Sequence, residues 1–264
     1  PGTPINSFLG TLTIAEGGIW GTLTGVSVSI VSIFVIFGSF LNSGEAGSGF
    51  MNIATAFAGR LRGGAAKVSV LSSALFGSIS GSASANVAST GMITLPSMLK
   101  LGYPKRLAAS VEAVASSGGQ IMPPLMGAGA FVMVELTGIP YNEIIIAALL
   151  PAILYFFTVW IGIDFYSKEF NLKPINSSDL PPIKTVLITS IFFFIPFSTL
   201  LFFMFIGYTP QYSAAISILL AACLLFFNIK TKFNFQLGLS RLYESFILAG
   251  KQISLIGSII ICAS

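Results

Sequence analysis

Apolar residues in this chain gather into long runs, separated by short breaks that carry charge, proline or glycine. A membrane crossing needs about 20 apolar residues. By that measure the runs at 20–41, 144–163 and 183–206 predict continuous spans. The run at 214–227 is short for a span unless it extends toward Tyr212, and a last run starts near Phe246 and continues to the end of the sequence. Residues 1–19 are mixed and read as a lead-in outside the membrane or at its surface. Residues 51–61 alternate irregularly between apolar and small polar side chains. They are too short to cross and predict an interfacial segment. Two stretches, 66–99 and 107–136, are apolar but interrupted.

The first interrupted stretch is bounded by basic residues on both sides: Arg60, Arg62 and Lys67 before it, Lys100, Lys105 and Arg106 after it. Lys and Arg favour the cytoplasmic side, and residues 68–99 do not hold two comfortable crossings. The pattern predicts a helical hairpin that enters from the cytoplasm, turns part way through and returns. Such backbone is tolerated at membrane depth only where protein buries it or it lines an aqueous cavity. The expected turn, GSISGSASANVAS from Gly77 to Ser89, supplies hydroxyls, the Asn86 amide and small residues. In the second stretch, SSGGQIMPPLM from Ser116 to Met126 cannot sustain a regular helix, because proline removes a donor and clashes with the preceding turn.

Composition supports the membrane reading. Hydrophobic residues make up 54% of the chain and charged residues 8%, and mean hydropathy is +0.90; soluble domains are about a quarter charged. The net charge of +4 does not point to nucleic acid, since the basic residues border apolar segments and form no surface stripe. The chain has no histidine, which removes His-based triads, HExxH zinc sites and haem–histidine ligation. No P-loop is present. Cys223 and Cys262 both lie in apolar runs and suggest neither a disulfide nor a metal site. Residues 1–19 do not read as a signal peptide.

If the first span runs outside to inside, all 13 Lys and Arg residues fall in cytoplasmic segments. The outside turns, 135–143 and 207–211, then hold none. The proline-containing polar segment 172–184 divides the expected organisation: residues 1–171 as a first transport repeat, 185–264 as the start of a second.

Three groups could carry chemistry. At the hairpin turn, Gly81, Ser82, Ser84 and Asn86 offer the oxygen ligands that hard cations prefer, and broken helices supply such ligands in secondary transporters. A packing stripe of small residues explains the same composition. At the break, Ser117, Gly118, Gly119, Gln120, Pro123 and Pro124 mark freed carbonyls and N–H groups, with a simple proline kink as the alternative. Glu112 is either an intramembrane functional carboxylate or a cytoplasmic-end residue pairing with Lys105, Arg106 or a neighbouring helix. Glu16, Glu45 and Glu244 read as interfacial charges and Glu135 and Glu143 as solvated. Trp20, Trp160, Tyr141, Tyr208 and Tyr212 read as aromatic-belt residues.

The stretch from Ser73 to Tyr141, with its GSASANV hairpin, GYP turn and GGQIMPP break, resembles the large membrane subunit of the tripartite ATP-independent periplasmic (TRAP) transporters. It is most similar to fused permeases that work with a TAXI-type solute-binding protein. The resemblance implies an all-α polytopic membrane protein with a re-entrant hairpin and a broken helix, built as inverted repeats, in a bacterial or archaeal cytoplasmic membrane. It implies sodium-coupled, elevator-type import of a small organic acid, with sodium as coupling ion and no cofactor. The implied partners are a periplasmic solute-binding protein, a small membrane subunit (fused or separate) and the lipid bilayer. Carried onto this chain, the first sodium site falls on Gly81, Ser82, Ser84, Asn86, Ser117, Gly118, Gly119 and Pro123. The substrate contacts fall on Ser84, Asn86, Gln120 and Pro124. A symporter that needs no binding protein uses the same hairpin logic; a membrane enzyme lacks an evident acid–base pair, and a channel lacks an evident filter. Because the last apolar run has no polar stop and one hairpin lines only one side of a cavity, the natural protein is expected to continue past Ser264 with a second hairpin.

Overall fold

The structure is a computed structural model that describes residues 4–15, 18–228 and 232–263. The expectations for Glu16, Lys230 and Ser264 lie outside these residues, as do the side chains of Glu135 and Cys262. The described chain is all-α apart from one two-residue ladder. A lead-in helix α1 (Ile5–Ile14) is followed by the first apolar run. There α2 (Thr22–Val26) passes through a π turn (Ser27–Val31) into α3 (Ser32–Ser43). Then come α4 (Ala46–Ala58) and two helices of nearly equal length, α5 (Gly64–Ser80) and α6 (Ala83–Lys100). Next, α7 (Lys105–Ser117) tightens into a 3-10 turn (Gly118–Ile121), and the chain restarts as α8 (Ala128–Thr137). The helices α9 (Tyr141–Glu169), α10 (Ile183–Ile206) and α11 (Pro210–Leu225) complete the apolar runs. The ladder of β1 (Phe227–Asn228) and β2 (Lys232–Phe233) leads into α12 (Phe235–Ala263). Three stretches, Thr24–Ser43, Tyr141–Glu169 and Ile183–Ile206, are long and apolar enough to cross a membrane. The chain is a polytopic helical membrane protein.

Buried clusters hold the helices together, two of them large. The larger one surrounds α3, where Phe34, Phe37 and Phe40 meet Phe50 of α4, Phe193 and Leu200 of α10 and Leu225 of α11. Phe50 sits edge-on to Phe193 at 4.5 Å and to Phe76 of α5 at 6.4 Å. The second cluster joins the base of α5 (Ala65, Ala66, Val70) to Met98, Ala108, Val111 and Ile163. Lipid is as apolar as these side chains, so their gain comes from close packing and not from escape from water.

Several expectations change. The segment read as interfacial at 51–61 is a helix starting at Ala46, and it buries Gly49, Phe50, Ala54 and Ala58 between α5 and α10. The last helix starts at Phe235 and not near Phe246. Arg241, which precedes the last apolar run, is stabilised by an ion pair with Glu45 (2.5 Å) and a bond to the Phe227 carbonyl (3.2 Å). Glu45 is therefore half of a largely buried pair. Lys67 is also buried and bonds Asp164 of α9 at 2.9 Å, with its ammonium 5.3 Å from the Trp160 ring. Trp160 thus serves the interior, and so does Tyr141, which is 5% exposed.

The basic residues of the hairpin base gather at one end. The Lys67–Asp164–Lys168 contact and the bond from Ile175 N–H to the Gly59 carbonyl (2.9 Å) tie hairpin base, α9 and the 172–182 segment together. At another cavity, Pro140, Asn142, Tyr208, Thr209 and Gln211 meet, bringing together the two turns expected outside. Single cysteines at Lys100 and Thr209 should therefore label from opposite faces of the membrane. Labelling of both from one side, with an impermeant maleimide, would contradict this arrangement.

Candidate functional site

The hairpin turn is made by two residues. Gly81 ends α5 in a left-handed conformation (φ +58°) that favours glycine, donating its N–H to the Gly77 carbonyl at 3.0 Å. Ser82 is extended and caps α6, its hydroxyl accepting from Ala85 N–H at 3.3 Å and lying 3.2 Å from the Ser84 hydroxyl. A Ser–Ala–Ser sequence after a glycine is thus a helix stop followed at once by a helix start.

The break packs against this turn. After the 3-10 turn, a cis bond joins Pro123 and Pro124, the Leu125 N–H donates to the Ser78 carbonyl (3.3 Å), and the buried Tyr141 hydroxyl donates to the Pro124 carbonyl. Backbone meets backbone at two places. A Cβ on Gly77 would lie 2.2 Å from the Gly119 Cα, and one on Gly81 would lie 2.4 Å from the Gly127 nitrogen. Glycine here permits contact that any side chain would prevent.

The site residues expected from sequence separate into two layers. Gly81, Ser82, Ser84 and Gln120 line a cavity of about 320 Å3, together with Phe34 and with Gln252 of α12. Asn86 is not in that cavity: it is fully buried one turn below, against Gly119. Gly118 packs against Tyr155 and Phe156, and the exposed Ser117 returns its hydroxyl to the Ala113 carbonyl at 2.8 Å. Pro123 and Pro124 are buried and shape the break.

Asn86 carries the chemistry of the deeper layer. Its Nδ2 donates to the Ser73 carbonyl (2.9 Å) on α5 and to the Ser116 carbonyl (3.4 Å) on α7. Two carbonyls on that side fix the amide orientation. Its Oδ1 is buried with no hydrogen-bond partner, which is costly for an acceptor and suits a hard cation, whose ligands are oxygens. Glu112 is 1% exposed and does not pair with Lys105 or Arg106. Its partners are hydroxyls on α5, α6 and its own helix: Ser69, Thr90, Thr94 and Ser116. A second cavity, about 470 Å3, lies at the hairpin base and is lined by Asn52, Thr94, Lys100 and Asp179. It is remote from both breaks.

Sequence reasoning missed Gln252, Ser69, Thr90, Thr94 and Asp164. For Gln252 the signal was available, a lone amide within the last apolar run. The hydroxyls carry none, because serine and threonine are frequent throughout this chain.

The chain is similar in sequence to known proteins. The family model described as "Tripartite ATP-independent periplasmic transporter, DctM component" matches residues 5–264. The chain is 34% identical over 97 residues to the C4-dicarboxylate TRAP transporter large permease protein DctM of Rhodobacter capsulatus, covering 37% of this chain and 22% of that protein. It is 30% identical over 124 residues to the C4-dicarboxylate TRAP transporter large permease protein DctM of Pseudomonas aeruginosa, covering 47% and 29%. It is 29% identical over 148 residues to the ectoine/5-hydroxyectoine large permease UehC of Ruegeria pomeroyi, covering 55% and 34%. In each of these pairs the chain spans less than half the relative's length. Matched along nearly its whole length, the chain belongs to the DctM component of the tripartite ATP-independent periplasmic transporters, a family of transport proteins and not of enzymes.

Proposed function

We propose that this chain forms part of the membrane path of a sodium-coupled importer for a small organic acid, received from a periplasmic solute-binding protein in a bacterial cytoplasmic membrane. The observation that carries the reading is the unpartnered, fully buried Oδ1 of Asn86 beside a hairpin turn and a broken helix in backbone contact. Paired interruptions are where secondary transporters hold ions and substrates. The hydroxyls of Ser82 and Ser84 and the amide of Gln120 face the tip cavity and suit a carboxylate. The hairpin is then re-entrant, with its basic base at the cytoplasmic face. Relatives named for C4-dicarboxylate and ectoine differ in substrate charge, so the carboxyl group those compounds share is the chemistry favoured here. A TAXI-type binding protein and a small subunit, separate or fused as in the isethionate permease DctMQ of Oleidesulfovibrio alaskensis, complete the proposed assembly.

Uptake of radiolabelled dicarboxylate by the intact transporter in liposomes tests the reading. Accumulation is expected only with an inward sodium gradient and the binding protein on the outside. Uptake without the binding protein at low substrate concentration would favour a simple symporter, and uptake unaffected by sodium would end the cation assignment.

A further inference from the structure

The Glu112 carboxylate has no part in the reading above, yet it is the most completely buried acid among the described residues. Its Oε1 accepts from Thr90 Oγ1 (2.5 Å) and Ser116 Oγ (3.3 Å), and its Oε2 from Ser69 Oγ (2.8 Å) and Thr94 Oγ1 (2.5 Å). Four hydroxyls surround its two oxygens, and those of Thr90 and Thr94 each also reach a backbone carbonyl one turn back, at 2.8 Å (Asn86) and 3.0 Å (Thr90), so each single proton has two acceptors. No basic side chain faces it from any packed element. Lys67, on the same helix as Ser69, is turned to Asp164, Lys100 lines the base cavity, and Lys105 and Arg106 are exposed at the start of α7. Holding a charge on this buried carboxyl would require an opposite charge close by, since removing charge from water is expensive without one.

The nearby group able to hold such a charge is Asn86. Ser116 connects the two: its hydroxyl donates to Glu112, and its carbonyl accepts from Asn86 Nδ2. Thr90 makes a second connection, since its hydroxyl lies 2.8 Å from the Asn86 carbonyl and 2.5 Å from Glu112. The unpartnered Oδ1 thus belongs to a side chain two hydrogen bonds away from a buried carboxyl that has no basic partner.

We propose that Glu112 is ionised when a sodium ion is held at Asn86 and is the counter-charge for that ion. It is a positioning residue: it does not touch the ion, but its charge strengthens the site and its hydroxyl partners hold the hairpin and the break in register around it. The proposal rests on the cation reading of Asn86. At the short range and reduced dielectric of a protein interior, removing a unit charge weakens monovalent cation binding by about tenfold or more.

The test measures the sodium concentration for half-maximal uptake by the intact transporter in liposomes, with potassium replacing sodium to hold ionic strength. Glu112→Gln keeps the side-chain size and is expected to raise that concentration at least about tenfold, while Glu112→Asp keeps the charge and is expected to stay within about twofold of wild type. A purely structural role would move folded yield and leave the sodium dependence alone. An unchanged half-maximal concentration in Glu112→Gln overturns the proposal, as does an equal rise in both variants. If Glu112→Gln does not fold, Glu112→Asp carries the test alone, and a tenfold rise there is the overturning result. Failure of the underlying reading looks different: wild-type uptake would ignore sodium, or Asn86→Ala would leave the sodium response intact.

Discussion

Replacing Gly77 with alanine is expected to leave little folded protein in the membrane. The added methyl would stand 2.2 Å from the Cα of Gly119, and neither α5 nor the 3-10 turn has a side chain there to move aside. Overpacking typically costs about 1–3 kcal/mol, and a methyl driven into backbone that cannot rotate away belongs at the upper end. Helix propensity acts in the opposite sense, since alanine is favoured over glycine by about 1 kcal/mol, so the clash decides the sign. Gly250→Ala in α12 is the control: a Cβ there meets nothing within 4 Å, and that variant should be as stable as wild type or slightly more so. Monodisperse yield and unfolding temperature of the purified variants read the difference directly. If Gly77→Ala and Gly250→Ala behaved alike, the hairpin and the break would not be in backbone contact.

The second large effect is expected at Asn86. Asn86→Ala should abolish most sodium activation of uptake, even after correction for the amount of folded protein. That correction matters because the amide also ties the hairpin to the break through the Ser73 and Ser116 carbonyls, and each lost bond costs about 1 kcal/mol. Ser82→Ala provides the comparison. It removes a helix cap worth about 1 kcal/mol and a hydroxyl from the tip cavity, but it leaves the buried amide in place. The expected order is a severe sodium defect in Asn86→Ala and a mild one in Ser82→Ala. Sodium curves of wild-type shape in both variants would reduce the turn to a packing surface.

Much of the architecture was legible because lipid removes alternatives. An apolar run flanked by charge becomes a helix in a membrane, and 183–206 was read with the ends that α10 shows. The hairpin turn and the break were legible because glycine and proline change backbone geometry locally. What could not be read was what distant residues do to one another. The last run was read from Phe246, and the pairing of Arg241 with Glu45, at the start of α4, is what lets α12 begin earlier. Tyr141 looked like a belt residue until the break placed the Pro124 carbonyl within its reach. Asn86 and Glu112 stood out by type and position. Their separation from the tip cavity and their link through Ser116 depend on how α5, α6 and α7 pack, and no spacing in the chain encodes that.

The ion pair between Lys67 and Asp164 has a mechanical consequence. With 29 residues, α9 is about 43 Å long, whereas a bilayer's hydrocarbon layer is about 30 Å thick. A helix with such excess length leans or protrudes, by an amount that follows the thickness of the surrounding lipid. Asp164 lies near the end of that helix and holds the base of α5, so the lean of α9 is tied to the angle of α5. Acyl-chain length thereby becomes an input to the orientation of the hairpin tip, delivered through one buried lysine.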